Sequence, residues 1–185
     1  MNEVFSLWLP IVATAVFIFI ASSLIHMVFK WHNSDYKKLA NEDEVRTAIR
    51  AGSPAPGQYV LPHCMDMKDM GNEEMKKKFI EGPIAFMTVR KNGPPTMGTA
   101  LTLWLLYSLL VAAAAACVAC GTFSLKADPR QAGQLVGVLS FMTYVGGSIQ
   151  MGIWMGKPWS SVAKDALDGF IYAVISALTF MWLWP

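Results

Sequence analysis

Apolar residues in this chain come in long blocks rather than in short alternating runs. No Asp, Glu, Lys or Arg occurs between Glu3 and Lys30, between Lys91 and Lys126, between Arg130 and Lys157, or from Gly169 onward. A helix needs about 20 mostly apolar residues, in a range of about 17–25, to cross the hydrocarbon core of a bilayer. Three blocks meet this length outright. The fourth meets it if its helix begins near Ser161, with its first turns at the interface. A buried helix of a soluble protein is rarely apolar all round for so long. The pattern therefore predicts helices over 4–29, 99–121, 132–155 and 161–184. Breakers punctuate them: Asn92-Gly93-Pro94-Pro95 before the second, Asp128-Pro129 before the third, and Gly156-Lys157-Pro158 between the third and fourth. The first block lacks a basic segment before it and exceeds the roughly 7–15 apolar residues of a secretory signal, so it reads as retained.

The polar stretch 31–97 carries its own pattern. Asn41 followed by Glu44 reads as a capped helix start, and Glu42 and Arg46 are four apart in the favourable order. Gly52 and Pro54 end that helix. A second short helix starts at Asn72, with Glu73 and Glu74 first and Lys76, Lys77 and Lys78 last, as the helix dipole prefers. Gly82-Pro83 stops it. The stretches 59–61 and 84–89 are strand candidates that could pair. So small a segment buries only a thin core. The expected class is an all-α membrane protein: four transmembrane helices with a small cytoplasmic α+β loop between helices one and two. Its parts are 1–30 (helix one), 31–97 (the loop) and 98–185 (three further helices packing with helix one).

Charge sets the expected orientation. Lys30, Lys37, Lys38, Arg90, Lys91, Lys157 and Lys164 flank one side, against Lys126 and Arg130 on the other. The positive-inside bias then puts 31–97 in the cytoplasm and both termini outside. Trp8, Trp182 and Trp184 fall at the outer interface, and Trp31, Trp154 and Trp159 at the inner one. The 185 residues are 54% hydrophobic and 15% charged, against about 45–50% and about 25% in an average soluble domain. No basic stripe interleaves with aromatics, so nucleic acid is not an expected partner.

Three groups could carry chemistry. On helix four, Asp165, Asp168, Tyr172, Ser176 and Thr179 share one face, and Ser140, Thr143, Gly147 and Gln150 form a stripe on helix three. Small residues at Ser148, Gly152 and Gly156 and at Gly169, Ala173 and Ala177 suit close helix packing. Asp165, Asp168, Tyr172 and Gln150 are the intramembrane polar candidates. Asp168 reads either as a proton or ion site or as a structural acid at a helix start, paired with Lys157 or Lys164, and the interfacial depth favours the second. Cys117 and Cys120 are three apart and could cycle as a dithiol, but a lone CxxC pair extending the Ala112–Ala116 face reads first as packing. His63, Cys64 and Met67, with Met70 and Met75 beyond and His26 and His32 upstream, offer soft and imidazole ligands for copper or zinc, yet no second Cys/His pair completes a structural zinc site. No phosphate-binding glycine loop, HExxH or GxSxG occurs. No catalytic residue and no cofactor is fixed by the sequence.

The segments EGPIAFMTVRKNGPPTMG, from Glu81, and GGSIQMGIWMGKPWSSVAKD to the closing WLWP resemble uncharacterised small bacterial inner-membrane proteins with four predicted transmembrane helices. The resemblance implies a bacterial inner (cytoplasmic) membrane and carries no activity. The leading expectation is a non-enzymatic accessory or scaffolding subunit of a membrane complex, in contact with lipid, with other subunits or with itself. The alternatives are a redox or metal-handling protein using Cys117/Cys120 or the His63-Cys64-Met65 loop, and a proton- or ion-coupled protein using Asp168.

Overall fold

The computed structural model describes residues 2–185. They form two compact units, one from the first 37 residues together with 96–185, the other from 38–95.

The first unit is a four-helix bundle. A short helix α1 (Asn2–Ser6) leads into α2 (Trp8–Leu24), which ends in a π turn (Ile25–Phe29) and a 3-10 turn (Trp31–Asp35). The bundle is completed by α6 (Met97–Thr122), α7 (Pro129–Met155) and α8 (Trp159–Leu183). Four helical segments, Trp8–Phe29, Met97–Thr122, Pro129–Met155 and Trp159–Leu183, are long and apolar enough to cross a membrane. Their outward faces carry Val16, Phe17, Ile20, Leu103, Leu106, Leu110, Met142, Ile153, Phe170 and Leu178, all exposed. Their inward faces bury Thr14, Ser22, Ser108, Ser140, Asp168, Ser176 and Thr179. Greasy outside and polar or small inside is the arrangement lipid rewards, because tails already solvate apolar side chains and helices associate through close packing and hydrogen bonds. Four such helices fit a membrane protein.

Small residues decide how the bundle closes. At the end holding the chain termini, Ala112, Ala115, Ala116, Ala119 and Ala132 pack with Leu7, Ile11, Val136, Phe180 and Trp184. Between α7 and α8 the approach is closer still. A Cβ on Gly133 would sit 2.7 Å from the Ala177 carbonyl oxygen, and one on Gly169 would run into Val145. The buried residues of α7 are Ala132, Gly133, Val136, Gly137, Ser140, Val145 and Gly152. The stripe expected from Ser140 to Gln150 departs from them: Thr143, Gly147 and Gln150 are exposed, because the packing face is set by the glycines and not by the polar residues. Gly156 ends α7 in the left-handed conformation (φ 67°), and Lys157 N–H closes the turn on Met151 O at 3.1 Å. At the expected interfaces, Trp8, Trp154, Trp159 and Trp182 are exposed, but Trp184 is buried and Trp31 is turned into the protein.

The second unit contains α3 (Glu42–Ala51), β1 (Gly57–Leu61), α4 (Met67–Met70), α5 (Glu73–Glu81) and β2 (Ala85–Val89). The strands pair antiparallel from Gly57 opposite Val89 to Leu61 opposite Ala85. Asn72 caps α5 by accepting from Glu74 N–H at 2.9 Å. The capping expected at α3 is absent: Asn41 makes no side-chain cap bond, and Arg46 bonds Asp43 rather than Glu42. None of the described residues of this unit is fully buried, which is the thin core its size dictates.

The glycine contacts make a contrast that a thermal melt in detergent can read. Gly169→Val overpacks the α7–α8 contact and is expected to cost about 1–3 kcal/mol. Gly146→Ala meets nothing within 4 Å and is expected to be neutral or to stabilise by up to about 1 kcal/mol through its helix preference.

Candidate metal centre

The end of the first span brings two histidines onto one acid of the last. After Leu24 the α-helix loosens into a π turn, closed by Lys30 N–H on Ile25 O at 2.8 Å. Lys30 then takes φ 55°, ψ 25°, a left-handed conformation uncommon in residues other than glycine. The chain reverses there into the 3-10 turn, and His32 folds back over His26 with ring centroids 5.1 Å apart and planes within 10°. π turns and left-handed non-glycine residues concentrate at functional sites, where surrounding contacts must hold them.

Lys164, on α8, supplies that hold. Its Nζ donates to Trp31 O at 2.8 Å, to Ser34 Oγ at 2.7 Å and to Asp35 Oδ1 at 2.6 Å, so one ammonium spans the 3-10 turn. Hydrogen bonding to Lys164 first, and to His32 after it, lowers the Asp35 carboxyl to about 2. Asp168, one turn further along α8, is buried and reaches the same turn. Its Oδ1 accepts Trp31 Nε1–H at 3.1 Å, and its Oδ2 meets His32 Nε2 at 2.9 Å. The pairing of Asp168 with Lys164 or Lys157 expected from the sequence gives way to these donors. Lys164 is drawn to Asp35, and Lys157 forms its ion pair with Asp165, which also bonds Ser148.

The nitrogen roles follow from the acceptors. His26 Nδ1 lies 2.9 Å from Ser22 O, which can only accept, so Nδ1 donates there and Nε2 is the nitrogen not engaged by that bond. His32 Nδ1 bonds Asp35 Oδ2 at 2.8 Å. Burial by itself would lower the basicity of His32, but the hydrogen bonds and charges of Asp35 and Asp168 outweigh it and raise its pKa. His32 thus lies between two carboxylates that favour its protonated form. One ligand atom from each of His26, His32 and Asp168 lies within 4.8 Å of the others. Two imidazoles and a carboxylate, each oriented by a further hydrogen bond, are a donor set that fits an open divalent-metal site.

A cavity of about 640 Å³ adjoins this cluster, lined from all four spanning helices. His26 and Asp168 lie along it with Ser22, Lys157 and Asp165. A four-ring wall of Trp104, Tyr107, Tyr144 and Tyr172, with neighbouring centroids 5.3–5.9 Å apart, forms another side.

Other sequence candidates are not among these ligands. His63 is exposed, and Cys64 Sγ donates to Asp66 O at 3.3 Å. Neither is part of a converging ligand group among the described residues, and the side chain of Met67 lies outside the described set. Cys117 is exposed, while Cys120 packs against the alanine core. The sequence reading picked out Asp168 and offered Lys164 as its partner, but missed Trp31 and Asp35, and grouped His26 and His32 with His63. The signal available was depth: His26, His32 and Asp168 all lie near the same end of the spans.

Lys164→Met and Asp35→Asn should each lower the melting temperature. The double variant should fall little further than either alone, since both changes release the same turn. Replacing Cys117 and Cys120 together by Ala should leave the melt unchanged. No known protein family, curated protein or solved structure matches this chain.

Proposed function

We propose that this is an integral membrane protein built around a divalent metal ion held by His26, His32 and Asp168 at the cytoplasmic boundary of the bilayer. The observation that carries the reading is the convergence of three ligand atoms whose second bonds are already committed. His26 is oriented by Ser22, His32 by Asp35, and Asp168 by Trp31. Metal-binding histidines characteristically donate their other N–H to a carboxylate or carbonyl. Three protein ligands leave a coordination position for water or a substrate, as in catalytic rather than structural sites. Nitrogen with carboxylate oxygen suits borderline ions such as zinc or ferrous iron rather than copper(I), which prefers sulfur. The Lys/Arg bias supports the orientation: the metal end and 38–95 inside, both termini outside.

A second reading, membership of a larger membrane assembly, has its own support. An outward groove between α7 and α8 has Gly137, Ala173 and Ala177 along it and Phe141 and Phe170 beside it. Gly137 and Ala173 are buried at its floor and Ala177 is half-buried, and small residues at the floor of a groove admit a partner helix at close range.

The metal reading is tested by elemental mass spectrometry of protein purified in mild detergent. About one equivalent of zinc or iron per chain is expected from a single three-ligand site. His26→Ala and Asp168→Asn should each lose most of it while remaining folded, and His63→Ala and Cys64→Ser should lose none. Full metal content in the first pair, or its loss in the second, would overturn the assignment. A membrane-impermeant thiol reagent tests the orientation: Cys64 should react in inverted vesicles and not in intact cells.

A further inference from the structure

The cavity beside the metal ligands is shaped for more than a water molecule. Its volume, about 640 Å³, falls within the roughly 300–1,000 Å³ typical of small-molecule sites. We propose that it binds the head group of a membrane-dissolved quinone, with the ring against the Trp104, Tyr107, Tyr144 and Tyr172 wall and one ring oxygen accepting the Lys157 N–H not given to Asp165 or Ser148.

Three observations select this class of ligand. The first is the wall itself. Trp104 is fixed by its Nε1–H donating to Ser22 Oγ at 2.8 Å, and its ring contacts all three tyrosines at 5.8–5.9 Å. Fixed aromatic faces and edges favour a flat ring over a branched chain, since ring pairs gain from offset or edge-to-face contact. The second is charge. Lys157, the cation lining the cavity, is already bonded to Asp165, and Asp168 is answered by His32 and Trp31. No lining side chain keeps an unpaired charge to attract an anionic phosphate or carboxylate head, so a neutral ring fits the lining best. The third is the position of the apolar lining. Met27, Met97 and Met151 border the cavity and are exposed on the outer surface of the bundle, where an apolar tail can pass into lipid. Polar donors at one end, rings at the side and flexible methionines at the rim match an oxygen-bearing ring with a hydrocarbon tail.

The test uses the full chain in nanodiscs and a decyl-substituted benzoquinone, with decanol as a tail-only control. Quinone should bind saturably, read as quenching of tryptophan fluorescence, and decanol should not compete. Ala100 lines the cavity and is exposed, so Ala100→Trp should fill the space without disturbing the core. It is expected to weaken quinone binding at least tenfold, with an unchanged melt and unchanged metal content. Tyr107→Ala, which removes part of the wall, should weaken binding several-fold. Competition by decanol at equal concentration, or native affinity in both variants, would sink the proposal. Metal measured on the same samples keeps the two readings apart, because quinone binding by a metal-free chain supports the cavity assignment while removing the metal one.

Discussion

A carboxylate buried near the end of a long apolar helix must find donors or take up a proton, and Asp168 finds two in the turn that follows helix one. Trp31 Nε1–H and His32 Nε2 both come from the turn that follows the first span, so satisfying Asp168 ties the end of helix one to the start of helix four. The rest of that end of the bundle follows from this tie. The chain must reverse directly after Phe29, which requires the π turn and the left-handed Lys30. Lys164 must reach the same turn to hold it, which leaves Lys157 for Asp165. Desolvating an acid near a bilayer boundary costs less than at its centre, but it still has to be offset by oriented donors.

The two ends of the bundle use opposite packing rules. At the end holding the termini, alanines and glycines let the helices close with little space between them. At the other end, Trp104, Tyr107, Tyr144 and Tyr172 hold the helices apart around a cavity. The transition falls within single helices: α6 carries both the aromatic group at 104–107 and the alanine run at 112–116. A tight end gives rigidity to a loose one, and rigidity is what a ligand-binding site needs from its scaffold.

Polar residues therefore have two distinct jobs in this bundle. Ser176 and Thr179 return their hydroxyls to the carbonyls of Tyr172 and Ile175 on their own helix, satisfying themselves within the buried interior of the bundle. Asp165, Asp168, Ser22 and His26 instead reach across or into the cavity. Only the second group offers chemistry to a ligand.

The sequence by itself determined the number and extent of the spanning helices, because charge-free apolar blocks of sufficient length have few other stable arrangements. Helix four was expected at 161–184 and lies at Trp159–Leu183, and the strand candidates near 59–61 and 84–89 pair as expected. It also singled out Asp168, since an acid on an otherwise apolar helix stands out without any knowledge of its neighbours. The tertiary structure alone decided who those neighbours are. His26 and His32 are separated from Asp168 by more than a hundred residues, and no spacing rule links them. The sequence offered Lys164, one turn away on the same helix, as the obvious partner. What redirected it was the local reversal at Lys30, a conformation that no residue type announces, which carried Asp35 to Lys164 and left Asp168 facing Trp31 and His32. Partner choice for a buried charge is set by which donors the fold can bring within about 3 Å, and that is a property of the folded chain rather than of residue order.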